Sequence, residues 1–312
     1  MNCFAALLLL ACAAAPSGAQ TTPATATPAA APTPAPTPPA WLDARVRSEV
    51  AAFSGNVSLF AKNLDTGATY SLNGDERVRT ASTIKVAVMV EAFARVAEGR
   101  AKWTDELVLT KAGKVSGAGI LPELSDGLRL SLRDAVNLMM ILSDNTATNL
   151  AVDLLTADAV NARMESLGFR DIRLMRKIGG GGESREGRVE ANKRFGLGRA
   201  TPREMVLLLE KLERGEVVSP EASKEMLDLM KREQGRNGIG RALSGTPKAT
   251  KSGALDRLRS DVGVIYTKRG RIAMAITVDD MPEIIWTPDN PAFLLMSRLS
   301  LILVDGLGNS KP

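Results

Sequence analysis

Residues 261–278, DVGVIYTKRGRIAMAITV, read as two β-strands joined by a tight turn. Asp261 to Thr267 and Arg271 to Val278 are rich in β-branched and small apolar residues, and Lys268-Arg269-Gly270 supplies a polar, glycine-containing reversal between them. Towards the other end of the chain, Val57-Ser58-Leu59-Phe60-Ala61 and Thr69-Tyr70-Ser71-Leu72 flank Asp65-Thr66-Gly67-Ala68 and form a second hairpin, preceded by a helical segment, WLDARVRSEVAAF, from Trp41. Helices fill the interval. Several are marked by caps: Ser131 with Asp134 three residues on, Thr201-Pro202 with Glu204, Ser219-Pro220-Glu221, and Asn290-Pro291 opening a final apolar helix through Val304. Strands at both termini with helices between predict an α+β domain over residues 41–312. Its antiparallel sheet is built from both chain ends and flanked by helices, with an all-helical lobe inserted into it. A cleft between lobe and sheet is the natural place for a site.

Before Trp41 the chain reads differently. Residues 4–14 (FAALLLLACAA) are apolar but too short to span a bilayer, and Ser17-Gly18-Ala19 suits cleavage before Gln20, so residues 1–19 read as a signal peptide. The expectation is export, to the periplasm or the medium, with no transmembrane span. Leu9-Leu10-Ala11-Cys12 also resembles a lipoprotein cleavage box, which leaves lipid anchoring at Cys12 open. Residues 20–40 are almost entirely Thr, Pro and Ala and read as an extended, disordered linker, because they cannot bury apolar surface.

Composition narrows the chemistry. Histidine is absent and the only cysteines, Cys3 and Cys12, lie in the leader. Ser/His/Asp triads, Cys/His dyads and zinc sites are therefore excluded. What remains is serine or threonine activated by lysine, a carboxylate pair, or a metal held by oxygen ligands; the motifs below favour the first, for which no cofactor or metal is expected. The net charge of +5 belongs wholly to the part after residue 40 and suits an anionic small molecule. Nucleic acid is not expected as a partner, since no run of five Lys/Arg occurs and aromatics are only 4%. The chain is expected to be a monomer.

Ser82-Thr83-Ile84-Lys85 precedes an almost wholly apolar helix, Val86 to Val96. Residues three apart share a helix face, which sets Lys85 under Ser82. A buried lysine there would be desolvated, and its neutral amine could take the serine's proton. By itself the quartet is common and reads as a serine that merely caps a core helix. Ser143-Asp144-Asn145 follows the helix opened by Ser131, and alone reads as a polar turn; Lys251-Ser252-Gly253-Ala254, just before the C-terminal strands, alone reads as an edge-strand lysine.

In this order and spacing the three motifs resemble the active-site signature of class A β-lactamases and their penicillin-binding relatives. The resemblance runs from Trp41 to Leu307 and includes Ala81 and Thr146-Ala147-Thr148-Asn149-Leu150; Ser252 stands where the family usually has threonine. It implies Ser82 as nucleophile, Lys85 as its base, and an oxyanion hole from the backbone N–H groups of Ser82 and Ala254. It further implies that Ser143, linked to Lys251, passes a proton to the departing nitrogen. Asn145 would hold the substrate amide, and Lys251 and Ser252, beside Gly253, its carboxylate. Arg259 would assist there, although Arg257 is not separable from it by sequence.

The family's loop after Ser-Asp-Asn carries a deacylating glutamate in a Glu-x-x-Leu-Asn setting, and this chain has no such string. The long stretch from Arg173 to Arg199 puts Ile178 near the glutamate's place, followed by Gly179-Gly180-Gly181-Gly182, and reads as either a functional or a mobile loop. Glu183, Glu186 and Glu190 are the substitutes it offers. Acylation by a β-lactam or a peptidoglycan-like substrate is thus better supported than fast hydrolysis. The alternatives are a D-alanyl-D-alanine peptidase or esterase on the same serine, or a penicillin-binding or cell-wall-binding module without turnover.

Overall fold

The computed structural model describes residues 37–308, all within one compact unit. The expected leader, the Cys12 lipidation site and most of the linker lie outside the described residues. In chain order the helices are α1 (Ala40–Ala51), α2 (Lys85–Ala97), α3 (Leu132–Ile141), α4 (Asn145–Leu155), α5 (Ala157–Ser166), α6 (Arg185–Arg188), α7 (Pro202–Glu213), α8 (Pro220–Lys231) and α9 (Pro291–Gly308). The strands are β1 (Asn56–Asn63), β2 (Thr69–Leu72), β3 (Val78–Arg79), β4 (Glu106–Val108), β5 (Arg129–Ser131), β6 (Arg173–Leu174), β7 (Gly198–Ala200), β8 (Lys248–Leu255), β9 (Leu258–Thr267) and β10 (Gly270–Asp279).

The main sheet runs β2-β1-β10-β9-β8, every pair antiparallel, so the N-terminal hairpin adds to the C-terminal one through β1 and β10. Side chains alternate across a strand, and here the alternation sorts by size. Ile272, Met274, Ile276 and Val278 of β10 join Val57 and Leu59 of β1 in a core under α1 and α9. Ala273 and Ala275 face the other way, into the core of the inserted lobe. That lobe centres on α2, of which Lys85 to Ala94 are all buried, as an apolar helix at the middle of a bundle must be. α9 is long and apolar enough to cross a membrane by length and composition, yet packs its Leu295, Leu299 and Leu303 against the sheet.

One expectation needs correction. The insert is not all helical: it carries two small sheets, β3-β7-β6 and β4-β5. Their strands are two or three residues long and tie loops to one another instead of forming a layer. The stretch 173–199 is likewise structured, with β6, α6, a 3₁₀ turn over Glu190–Phe195 and the start of β7. The expected caps are present: Ser131 and Asp134 form a reciprocal capping box, Thr201 accepts from the Glu204 N–H, and Ser219 accepts from the Ala222 N–H.

Candidate active site

Ser82 lies in a 3₁₀ turn, Ala81–Ile84, that runs directly into α2. Its side chain does not cap the helix. Ala81, immediately before it, is held at φ +46°, a conformation that costs a non-glycine residue about 1–3 kcal/mol and persists only where the surroundings impose it. The turn packs on β8, and the approach is close: a Cβ on Gly253 would come 2.8 Å from the Ser82 nitrogen and 2.8 Å from the Thr80 carbonyl oxygen. Gly253 therefore lets β8 come alongside the backbone N–H of Ser82, the arrangement an oxyanion hole requires.

One turn on, Lys85 is fully buried. Its Nζ donates to Ser143 O (2.7 Å) and Asn145 Oδ1 (3.0 Å) and lies 3.2 Å from Ser143 Oγ. Burial pushes its pKa well below the ordinary lysine value. The charge of Lys251 adds to the fall and that of Asp144 opposes it. A lysine in this state can carry a lone pair.

Ser143-Asp144-Asn145 joins α3 to α4. Ser143 takes φ +55°, and Asp144 is buried as the cap of α4, accepting from the N–H groups of Ala147 (2.8 Å), Ile120 (2.7 Å) and Leu121 (2.9 Å). Asn145 Nδ2 donates to Ser116 O at 3.0 Å, which leaves its second amide proton free for a ligand. The middle residue thus anchors the triplet while its neighbours face the cleft.

The lysine of the third motif is placed differently from expectation. Lys251 forms no bond to Ser143 among the described residues. It is fully buried and donates to Glu233 Oε1 (3.2 Å) and Ser252 O (2.9 Å). The reason is electrostatic: a buried ammonium needs a counter-charge, and Glu233, only 2% exposed, provides it. The same Oε1 accepts from the Ser252 N–H (2.8 Å) and hydroxyl (2.6 Å), and Oε2 accepts from Thr250 Oγ1 (2.8 Å). Ser143 is instead the neighbour of Lys85.

Arg259 is also corrected. Its guanidinium is buried, donates to Leu255 O (2.6 Å), Leu258 O (2.7 Å) and Ile285 O, and lies over the rings of Trp286 and Phe293. Arg257, in the turn between β8 and β9, is exposed, lines the cleft and has no side-chain partner among the described residues. The cleft of about 920 Å³ brings together Ser82, Ser143, Asn145, Ser252, Gly253 and Ala254, with Gly117 and Ala118 on the far side.

None of the three candidate glutamates reaches it. Glu183 accepts from the Gly181 N–H, Glu186 from Asn192 Nδ2, and the exposed Glu190 pairs with Lys193. What the structure brings to the Ser-Asp-Asn end is Ile178. Its carbonyl accepts from Asn149 Nδ2 (2.9 Å) and its N–H donates to Asn149 Oδ1 (2.9 Å), and Asn149 stands one turn beyond Asn145 on α4.

A model of the beta-lactamase enzyme family matches residues 41–307. The chain belongs to that family. Among solved structures, the β-lactamase from Sphaerobacter thermophilus DSM 20745 is 32% identical, with a TM-score of 0.74 over 87% of this chain and 98% of that one. PBP-A is 25% identical, with a TM-score of 0.75 over 87% and 97% of the two chains. A leucine-to-glutamate mutant of PBP-A, determined as an acyl-enzyme complex with penicillin G, gives 25% and 0.74 over 88% and 98%. No curated protein matches significantly. The protein is a β-lactamase-type serine hydrolase, and within that type Glu233 is a feature that the three motifs do not include.

A second buried carboxylate adjoins Glu233. Asp261 is 1% exposed; Oδ2 accepts from the Ile239 N–H (2.9 Å), and Oδ1 has no partner among the described residues. Burial, then the charge of Glu233, push its pKa well above the carboxylate range, against the Ile239 hydrogen bond and Lys251. A raised native pKa stabilises the fold fully below the unfolded pKa, and that contribution is lost as pH rises through the native pKa. Asp261→Asn removes the ionisation. The melting-temperature difference between Asp261→Asn and the parent is therefore expected to widen in favour of Asn as pH rises from about 4. Thermal melts across pH test this, and a difference that stays flat contradicts a neutral Asp261.

Proposed function

We propose that the protein opens β-lactam rings as a class A enzyme by acylating Ser82, and that it releases the acyl group slowly. The observation that carries this reading is the pairing of a buried Lys85, its pKa lowered by burial, with Ser143 in the cleft that Ser82 lines; by motif spacing Ile178, which carries no base, stands where the family has its deacylating glutamate. Ser82 Oγ attacks the lactam carbonyl as its proton passes to the neutral amine of Lys85. The N–H groups of Ser82 and Ala254 hold the oxyanion. The proton then moves from Lys85 through Ser143 Oγ to the lactam nitrogen as the ring C–N bond breaks. This relay does not need Lys251, whose charge is paired with Glu233; the exposed Arg257 is the cation on the cleft wall that would meet an anionic group of the substrate.

Ester hydrolysis needs a base against the open face of the acyl group, and isoleucine has none. Incubation with a chromogenic cephalosporin should give a burst near one equivalent, followed by a slow steady state, with the adduct mapped to Ser82. An adduct on another residue, or one undiminished in Ser82→Ala, refutes the nucleophile. A D-alanyl-D-alanine peptide offered in parallel reports whether the same serine also works as a peptidase. Residues 1–19 support action outside the cytoplasm, where it would serve β-lactam resistance or catabolism, and N-terminal sequencing of the mature protein tests the export.

A further inference from the structure

The cleft carries an aromatic ring that this chemistry does not use. Trp286 lines the same cavity as Ser82, Asn145 and Ala254, yet 61% of it is exposed. Leaving an indole in water is unfavourable by about 25 cal/mol for every Å² of apolar surface, and this one is not left loose. The Arg259 guanidinium lies 4.7 Å from its ring centroid, and is itself fixed by the carbonyls of Leu255, Leu258 and Ile285 and by Phe293 at 5.1 Å. The neighbouring Ile285 carbonyl also accepts from Asn290 Nδ2 (2.8 Å), and buried Asn290 accepts from the Ala292 N–H (2.8 Å) at the start of α9. The residue before Trp286 is thus tied both to the sheet and to the final helix.

With one ring face occupied by a cation, the exposure falls on the opposite face and the edge. A ring held on one side, bare on the other and ordered in advance is a stacking surface whose ordering cost is already met. Leu255, half-buried on the same wall, extends it. Arg259, expected from sequence to meet an anion, is the support beneath the ring.

We propose that Trp286 is a specificity-determining residue that stacks on a planar aromatic substituent of the β-lactam side chain, so that aryl-bearing β-lactams bind in preference to those without one. The inference rests on the acyl-enzyme reading of this cleft, and the experiment separates the two. Benzylpenicillin and 6-aminopenicillanic acid share the bicycle and its carboxylate and differ by the phenylacetyl group. Their non-covalent affinities are measured by calorimetry on Ser82→Ala protein, with and without Trp286→Ala.

The second substitution is expected to weaken benzylpenicillin about tenfold and 6-aminopenicillanic acid less than twofold, with Trp286→Phe retaining most of the preference. The same ratio should appear in acylation rates of the Ser82-containing proteins, followed by intact mass. Equal losses for the two ligands, no loss for benzylpenicillin, or no preference between them in the Ser82→Ala parent overturns the stacking role. Selective binding with no adduct at Ser82 would instead overturn the nucleophile assignment and leave the Trp286 surface standing.

Discussion

Lys85→Ala is expected to slow acylation by about 10²–10⁴, the usual consequence of losing a general base while the oxyanion donors remain. The pH dependence sharpens the test. Lys85 works as the neutral amine, and burial lowers its pKa well below the ordinary lysine value, so the parent's acylation rate should climb with pH as Lys85 loses its proton and level off well before pH 10.5. The variant should lack that rising limb. Stopped-flow acylation across pH decides it, with circular dichroism to show that the fold survives. A variant that keeps the rising limb would move the base elsewhere.

The second large effect is a gain. Ile178→Glu should raise steady-state turnover by about 10²-fold or more and abolish the accumulation of acyl-enzyme, since a positioned general base typically contributes 10²–10⁴. The substitution is tolerable because the backbone there is held from both sides by the Asn149 amide, whatever side chain the residue carries. The glycines that follow all take positive φ, and Lys177 closes the loop with its N–H to the Gly181 carbonyl (2.9 Å). Turnover measured under substrate excess, with intact mass in parallel, is the readout. If an intact Ile178→Glu protein turns over no faster than the parent, deacylation is limited by something other than the missing base.

Much of this site is written in local sequence, and the parts that are not share a cause. Caps and hairpins are signals of a few residues, so Ser131, Thr201, Ser219 and the turn at Lys268–Gly270 could be placed directly. The three motifs were legible because their order and spacing are themselves information. Arg259 and Arg257 were not separable because the strand was read from Asp261, whereas β9 begins at Leu258 and sets Arg259 opposite Ala254, leaving Arg257 in the turn. Glu233 had no local signal: it lies just past the end of α8, and only the packing of that helix beside β8 puts its carboxylate among Thr250, Lys251 and Ser252. The small strands β3 to β7 are shorter than any period that could reveal them.

The pairing of Asn56 with Asp279 across the central sheet has a consequence for how the molecule comes into being. β1 leaves the ribosome first, but its hydrogen-bonding neighbour β10 emerges only after the whole insert, β8 and β9 have been made, many seconds later at about 5–20 residues per second. Until then the β1-β2 hairpin has one edge without its partner, and Ser82 has no β8 to lie against. Contacts this distant in sequence fold slowly, and the nascent hairpin is open meanwhile to pairing with other chains. A chain that stops short of β10 would therefore retain its nucleophile motif and still be unable to build the cleft around it.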